Sequence, residues 1–217
     1  MRTVLLLSSL FLCTVTAQAQ FEPGKKLVGG ALFINTSSTT PIFTTTGWQR
    51  NTNAGVSFSL QRFKSPLVVG GAGISYFYGY THFRDNNAAS SESMINSHNV
   101  GLFVTRTYLQ PLAKKFYLSI GGNISGNYNY SKTGNNTSTY SEYNGFMFSA
   151  GAGLGLWYQL NERFVLSGEL SNLLAVSYSF GKQNAYVGSS SSVAFSTGLS
   201  GFSLGNNFGI GVKYLLK

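Results

Sequence analysis

The sequence predicts an all-β fold: a transmembrane antiparallel up-and-down β-barrel of eight strands, with short turns at one end and long loops at the other. Three observations support this prediction. Apolar and polar residues alternate along several long segments, only 10% of the residues are charged, and short connections take turns with long polar ones. Soluble domains average about 25% charged residues, so much of this surface is not expected to meet water.

The first nineteen residues have the features of a secretory signal peptide. Arg2 precedes an apolar run, and Ala17-Gln18-Ala19 supplies the small residues of a cleavage site. We therefore expect a signal peptide over residues 1–19 and a barrel domain over residues 20–217. Cys13 is the only cysteine and leaves with the signal peptide. The mature chain is thus expected to form neither a disulfide framework nor a thiolate metal site.

The alternation is clearest in the segment 116–131. One face carries Phe116, Ile120 and Ile124, whereas the residues between them are mainly serine, asparagine and glycine. Residues that alternate in this way lie on opposite faces of a strand. Comparable segments predict eight strands at 26–34, 51–62, 67–83, 98–109, 116–131, 143–160, 164–180 and 202–216.

The connections between these strands are of two kinds. Three are short, at 62–67, 110–115 and 161–163, and four are long and polar, at 35–50, 84–97, 132–142 and 181–200. Seven connections join eight strands, and pairing of the first strand with the last would close the sheet. A barrel of ten strands is the alternative that stays open, if the last long loop, which contains the segment SSVAF, includes a hairpin.

Two other folds fit the sequence less well. A membrane helix over residues 143–161 would be bulky all round, but the large side chains there alternate and glycines interrupt them. A soluble sandwich would have a charged outer face and strands of about 5 or 6 residues. A membrane barrel instead places the uncharged polar face inside, needs about 9–11 residues per strand to cross, and leaves no backbone group unpaired in lipid.

The C-terminal segment NFGIGVKYLLK adds a more specific pattern. Asn207, Gly209, Val212 and Tyr214 are spaced as in the C-terminal assembly signal of small outer-membrane barrels, although Lys217 stands where a Phe is usual. With its strand pattern, the mature chain resembles the OmpX- and OmpA-like eight-stranded barrel family of Gram-negative bacteria. The resemblance implies export to the bacterial outer membrane and insertion by the barrel-assembly machinery.

The chain is basic, with a formal net charge of +9, but its cations are placed for lipid rather than nucleic acid. Most flank the short turns, where we expect them to anchor the periplasmic end to anionic lipid head groups: Lys25, Lys26, Arg62, Lys64, Lys114, Lys115 and Arg163. Arg50, Arg84, Lys132 and Lys182 fall in the long loops. There, contact with lipopolysaccharide phosphates and simple solvation both remain open.

Three charges are expected at one depth inside the barrel: Arg106, Glu169 and Lys213. A buried charge in a narrow interior needs a partner, so we expect Glu169 to contact Lys213, with Arg106 across the barrel. Alternation with Val104 would turn Arg106 towards lipid, but the cost of a lipid-facing arginine, about 2–4 kcal/mol at the midplane, favours the opposite register. We interpret the cluster as a structural plug, with a gate in a conduction path as the alternative.

These features predict an integral outer-membrane protein with a structural or surface-interaction, adhesion-like role. Its outer loops would carry that role towards an extracellular ligand that the sequence does not identify. The alternative is a narrow porin-like channel for small solutes. An eight-stranded barrel is only wide enough for side chains to fill its interior, and inward-facing Tyr117, Trp157 and Tyr108 would favour the closed form.

A lipid-modifying outer-membrane enzyme is a remote third possibility. Such enzymes need a histidine with a serine or a carboxylate in reach. His82 and His98 flank a long loop that also holds Asp85 and Glu92, but no further motif supports catalysis. We expect no catalytic residue, no cofactor and no metal site.

Overall fold

The protein is described by a computed structural model that covers residues 21–39, 47–85, 92–135, 141–184, 188–197 and 208–216. Within these ranges no helix is long and apolar enough to cross a membrane. The strands are β1 (Lys26–Thr39), β2 (Gly47–Ser65), β3 (Val68–Asp85), β4 (Glu92–Ala113), β5 (Phe116–Asn135), β6 (Ser141–Gln159), β7 (Phe164–Gln183), β8 (Gly188–Thr197) and β9 (Phe208–Leu216).

The strands form a closed antiparallel ring with eight positions. Consecutive strands β1 to β7 pair side by side, β9 pairs with β7, and β9 also pairs with β1 to close the ring. β8 occupies the same position as β9, because both pair with β7 at different heights. The predicted eight-stranded up-and-down barrel is therefore confirmed, and within the described residues the ring does not contain ten positions.

The prediction of a long loop over residues 181–200 is wrong in part, because these residues include the strand β8. β7 pairs with β9 up to Leu170 and with β8 from Leu174 onward. The serine-rich start of β8 carries no apolar alternation, so its sequence pattern resembles that of a loop. Backbone pairing with β7 nevertheless makes it a strand.

Several strands extend further than their alternation predicted. β4 has 22 residues and β5 has 20, about twice the 9–11 that a bilayer crossing needs. At the long-loop end the added residues are 92–97 in β4 and 132–135 in β5, where backbone pairing continues without apolar alternation. β4 also gains residues 110–113 at the short-turn end. The predicted strand over residues 143–160 is confirmed against the membrane-helix reading, since Ser141–Gln159 is a strand.

The two faces of the barrel are as the alternation predicted. In β5, Phe116, Ile120 and Ile124 are exposed on the outside, whereas Tyr117 and Ser119 are buried inside. Outward aromatic rings cluster at both ends of the apolar band, among them Phe116, Tyr158, Phe164 and Tyr214 near the short turns and Tyr76, Tyr128, Phe146 and Phe180 near the other end. Two aromatic girdles around an apolar band are typical of a membrane-spanning barrel.

Glycines on the inner face make room for aromatic rings from neighbouring strands. The ring of Phe77 lies over Gly55, where a Cβ would come within 2.2 Å of it, and the ring of Phe103 covers Gly73 in the same way. When an aromatic ring covers a glycine on the neighbouring strand, it fixes the register between the two strands. It also explains how a narrow interior accommodates phenylalanine.

Gly71 allows a closer approach, to backbone rather than to a side chain. A Cβ on Gly71 would lie 2.1 Å from the carbonyl oxygen of Leu60, whereas one on the outward-facing Gly70 would lie 3.4 Å from the nearest atom. We expect Gly71→Ala to lower the free energy of unfolding by about 2 kcal/mol and Gly70→Ala to change it far less. Urea titration of the protein in lipid vesicles measures both. Equal losses in the two variants would contradict this prediction.

Candidate functional site

At the short-turn end of the lumen, the space enclosed by the ring, apolar side chains pack against one another. We call this cluster the base plug. Its members are almost completely buried: Phe21, Leu27, Phe63, Val69, Leu109, Tyr117, Trp157, Val165 and Leu215. The ring of Phe21 stacks on Phe63 with centroids 4.6 Å apart and lies 5.1 Å from that of Tyr117. An eight-stranded barrel is narrow enough for side chains to fill its interior at this depth.

Phe21 reaches the lumen because the segment 21–25 folds under the barrel. Gly24 has a φ of +91°, a conformation that favours glycine. Its N–H donates a hydrogen bond of 2.9 Å to the carbonyl of Phe63, and the N–H of Phe63 donates one of 2.9 Å to the carbonyl of Lys25. These bonds tie the segment to the end of β2. Sequence reasoning missed Phe21, which precedes the first alternating segment.

An ion pair lies next to the base plug. The Nζ of Lys213 is 2.9 Å from Oε1 of Glu169 and 4.5 Å from the ring centroid of Trp157. The Nε1 of Trp157 donates a hydrogen bond of 3.3 Å to the same carboxylate oxygen. The predicted contact between Glu169 and Lys213 is therefore present, and Trp157 is an unpredicted third member. Lys213 is held by a carboxylate and by an aromatic face, both favourable for a cation.

Arg106 does not join this pair, so that part of the predicted cluster is wrong. Its side chain is exposed on the outer wall, between the outward-facing Val104 and Tyr108. The inward positions belong to Thr105 and Thr107, which line the lumen. Tyr108, which we expected to help fill the lumen, is outside for the same reason. The alternation of the strand, not the cost of one charge, determines its register.

Beside the ion pair the lumen holds a cavity of about 550 Å³. Its wall is mostly glycine, serine, threonine and asparagine, with Glu169 and Lys213 among the lining residues. Ser125 and Ser149 share a hydrogen bond of 2.7 Å, and Nδ2 of Asn127 donates one of 3.0 Å to Ser125. The predicted wet, almost uncharged inner face thus forms a hydrogen-bonded network on the wall.

The seven predicted basic residues lie around the short-turn end. Lys25 is half-buried and 3.3 Å from Glu22. The other six are exposed: Lys26, Arg62, Lys64, Lys114, Lys115 and Arg163. Their distribution around one rim of the barrel is the arrangement that lipid anchoring requires. That these residues contact anionic lipid remains a prediction.

The two histidines occupy separate places near the long-loop end. The Nδ1 of His98 is 2.8 Å from the hydroxyl of Tyr76, within the outer aromatic girdle. Ser97 faces away from His98 and donates a hydrogen bond to the carbonyl of Gly79. The Nε2 of His82 lies 3.8 Å from Glu92, and the side chain of Asp85 is outside the described part. These contacts bring no serine to either histidine.

The proposed C-terminal assembly signal lies mainly on β9. Gly209 is buried beneath the ring of Phe33, Val212 is exposed on the outer wall, and Tyr214 packs 5.1 Å from Phe164 in the girdle near the short turns. Asn207 falls outside the described residues. Recognition of this segment by the assembly machinery remains a prediction.

No family model and no curated protein matches the chain. Among solved structures, the chain is similar to a major outer membrane protein from Thermus thermophilus, with 13% sequence identity over 90% of this chain and 100% of that chain and a TM-score of 0.48. It is also similar to a structure from the de novo design of transmembrane beta-barrels, with 16% identity over 90% and 98% of the two chains and a TM-score of 0.28. These values are too low to assign a family. The chain's own strands and faces define its class, a membrane-spanning antiparallel β-barrel.

Proposed function

We propose that this chain is a bacterial outer-membrane barrel with a closed lumen, and that its long outer hairpins carry a surface-interaction role. The base plug is the observation that supports the closed form. Phe63, Tyr117 and Trp157 are each at most 1% exposed, so these side chains leave little space at this depth. A narrow porin-like channel would need an open path there.

The outer hairpins are built as extended ribbons. About half of the 22 residues of β4 exceed the length that crosses a bilayer. At this end Lys132 lies 2.9 Å from Glu142 across one hairpin, and Arg84 lies 3.5 Å from Glu92 across another. Cross-strand pairs of opposite charge stabilise a two-stranded ribbon. Ribbons rich in asparagine and serine present hydrogen-bonding groups to the exterior, which supports a role in recognition.

Conductance of the folded mature protein in a planar bilayer tests this proposal. We expect no steady openings, because the base plug closes the lumen. A gel on which the unboiled protein migrates faster than the boiled protein would verify folding first. Steady, reproducible openings that change when Glu169 is replaced by Gln would overturn the proposal and favour the porin-like channel.

A further inference from the structure

The outer wall carries a groove of about 1000 Å³ that crosses β4, β5, β6 and β7. Its floor is formed by the small residues Gly122, Ala150 and Ala152, and Arg106 lies at one end. We call it the outer-wall groove. A Cβ on Gly122 would meet only the carbonyl oxygen of Gly151, at 3.5 Å, so the floor at this point is backbone.

Strand register explains the shape of this groove. Arg106 pairs with Gly122, and Gly122 pairs with Ala152, so the cation and two small residues form one row across the wall. In the neighbouring rows Val104 pairs with Ile124, and Tyr108 pairs with Ile120. Large apolar side chains therefore flank a row of small ones, and an elongated apolar group fits between them.

The position of Arg106 gives the groove a charged end. Arg106 precedes Pro111, near the end of β4, by five residues, which is about 13 Å along the membrane normal for a strand tilted by about 40°. Tyr108 of the girdle lies between them. Among the described residues no carboxylate forms an ion pair with Arg106. A cation at this depth needs an anion that comes from outside the chain.

We propose that the outer-wall groove binds one glycerophospholipid from the leaflet at the short-turn end, with its phosphate on Arg106 and an acyl chain over Gly122 and Ala152. The planar guanidinium matches a phosphate with two parallel hydrogen bonds. A second copy of this chain fits less well. The described glutamates that face outward lie at the two ends of the barrel, at 22, 92, 142 and 162, and none would reach Arg106.

Native mass spectrometry with phosphatidylglycerol added to the detergent-solubilised barrel tests the site. We expect the wild-type protein to retain one lipid, and Arg106→Gln to weaken that retention about tenfold. Gly122→Leu raises the floor and should weaken it similarly. Arg50→Gln, an exposed cation at the long-loop end, and Ala72→Leu, an outward small residue outside the groove, are the matched controls and should retain the lipid as the wild type does.

Three results would overturn the proposal. The first is equal retention of the lipid by Arg106→Gln and the wild type, which would show that Arg106 does not bind the phosphate. The second is equal loss in the groove variants and the controls, which would indicate annular lipid only. The third is a dimer that Arg106→Gln abolishes, which would make a second copy the occupant. None of these variants replaces a side chain that points into the lumen, so this test is independent of the conductance test.

Discussion

Replacing Glu169 with Gln is expected to lower the free energy of unfolding by about 2–3 kcal/mol. The substitution keeps the shape of the side chain and removes its charge. Lys213 then loses its carboxylate partner in a side chain that is only 10% exposed, whereas the Glu169 side chain is 44% exposed towards the cavity. An unpaired buried cation costs about 3–5 kcal/mol when it is fully buried, and water in the adjoining cavity reduces that cost.

Removing the other member of the ion pair, Lys213, provides the comparison. Lys213→Met leaves the half-exposed Glu169 facing the cavity, where water can solvate it, so we expect a loss of about 1 kcal/mol. The double variant carries neither charge and should be within about 1 kcal/mol of the wild type. Urea titration in lipid vesicles, followed by tryptophan fluorescence, measures all three. Additive losses in the double variant would show that the two side chains do not act as a pair.

The ring and its two faces could be predicted because alternation is repeated in every strand. The error at Arg106 shows how strong that constraint is. Reversing the register of β4 would place Val100, Leu102 and Val104 in the lumen and expose Thr105 to lipid. Each large apolar side chain gains about 1.5–3 kcal/mol from leaving water, so three outweigh the roughly 2–4 kcal/mol of one lipid-facing arginine.

The remaining features of the site carry no periodic signal. The serine-rich start of β8 is a strand only because β7 offers it a partner, and no local pattern identifies that partner. Trp157 could be assigned to the inner face, but its bond to Glu169 depends on neighbouring strands meeting at one height. The outer-wall groove likewise depends on the register that sets Gly122 beside Ala152. Alternation along one strand predicts which face of the barrel each residue occupies. Which residues of neighbouring strands lie at the same height can be read only from the paired strands.

The second large effect is expected from Phe21→Ala, because Phe21 joins the base plug from outside the strand ring. Removing a fully buried phenylalanine ring costs about 3–5 kcal/mol in a core that cannot rearrange. Phe21 stands on the segment 21–25 that precedes β1 and can detach while the strand ring stays intact, so the loss cannot exceed the free energy that holds this segment. We therefore expect the free energy of unfolding to fall by about 2–3 kcal/mol, measured by urea titration in vesicles.

The same variant links stability to the closed state of the lumen. Phe21 packs against Phe63 and Tyr117, so its loss should give brief channel openings in a planar bilayer that the wild type lacks. Glu22→Ala is the matched control, because Glu22 is adjacent, exposed and paired only with Lys25 at 3.3 Å among the described contacts. An exposed pair contributes less than about 1 kcal/mol, so this variant should remain stable and silent. If Phe21→Ala were as stable and as silent as Glu22→Ala, the lumen would be closed by the strand residues alone, and the N-terminal segment would have no part in closing it.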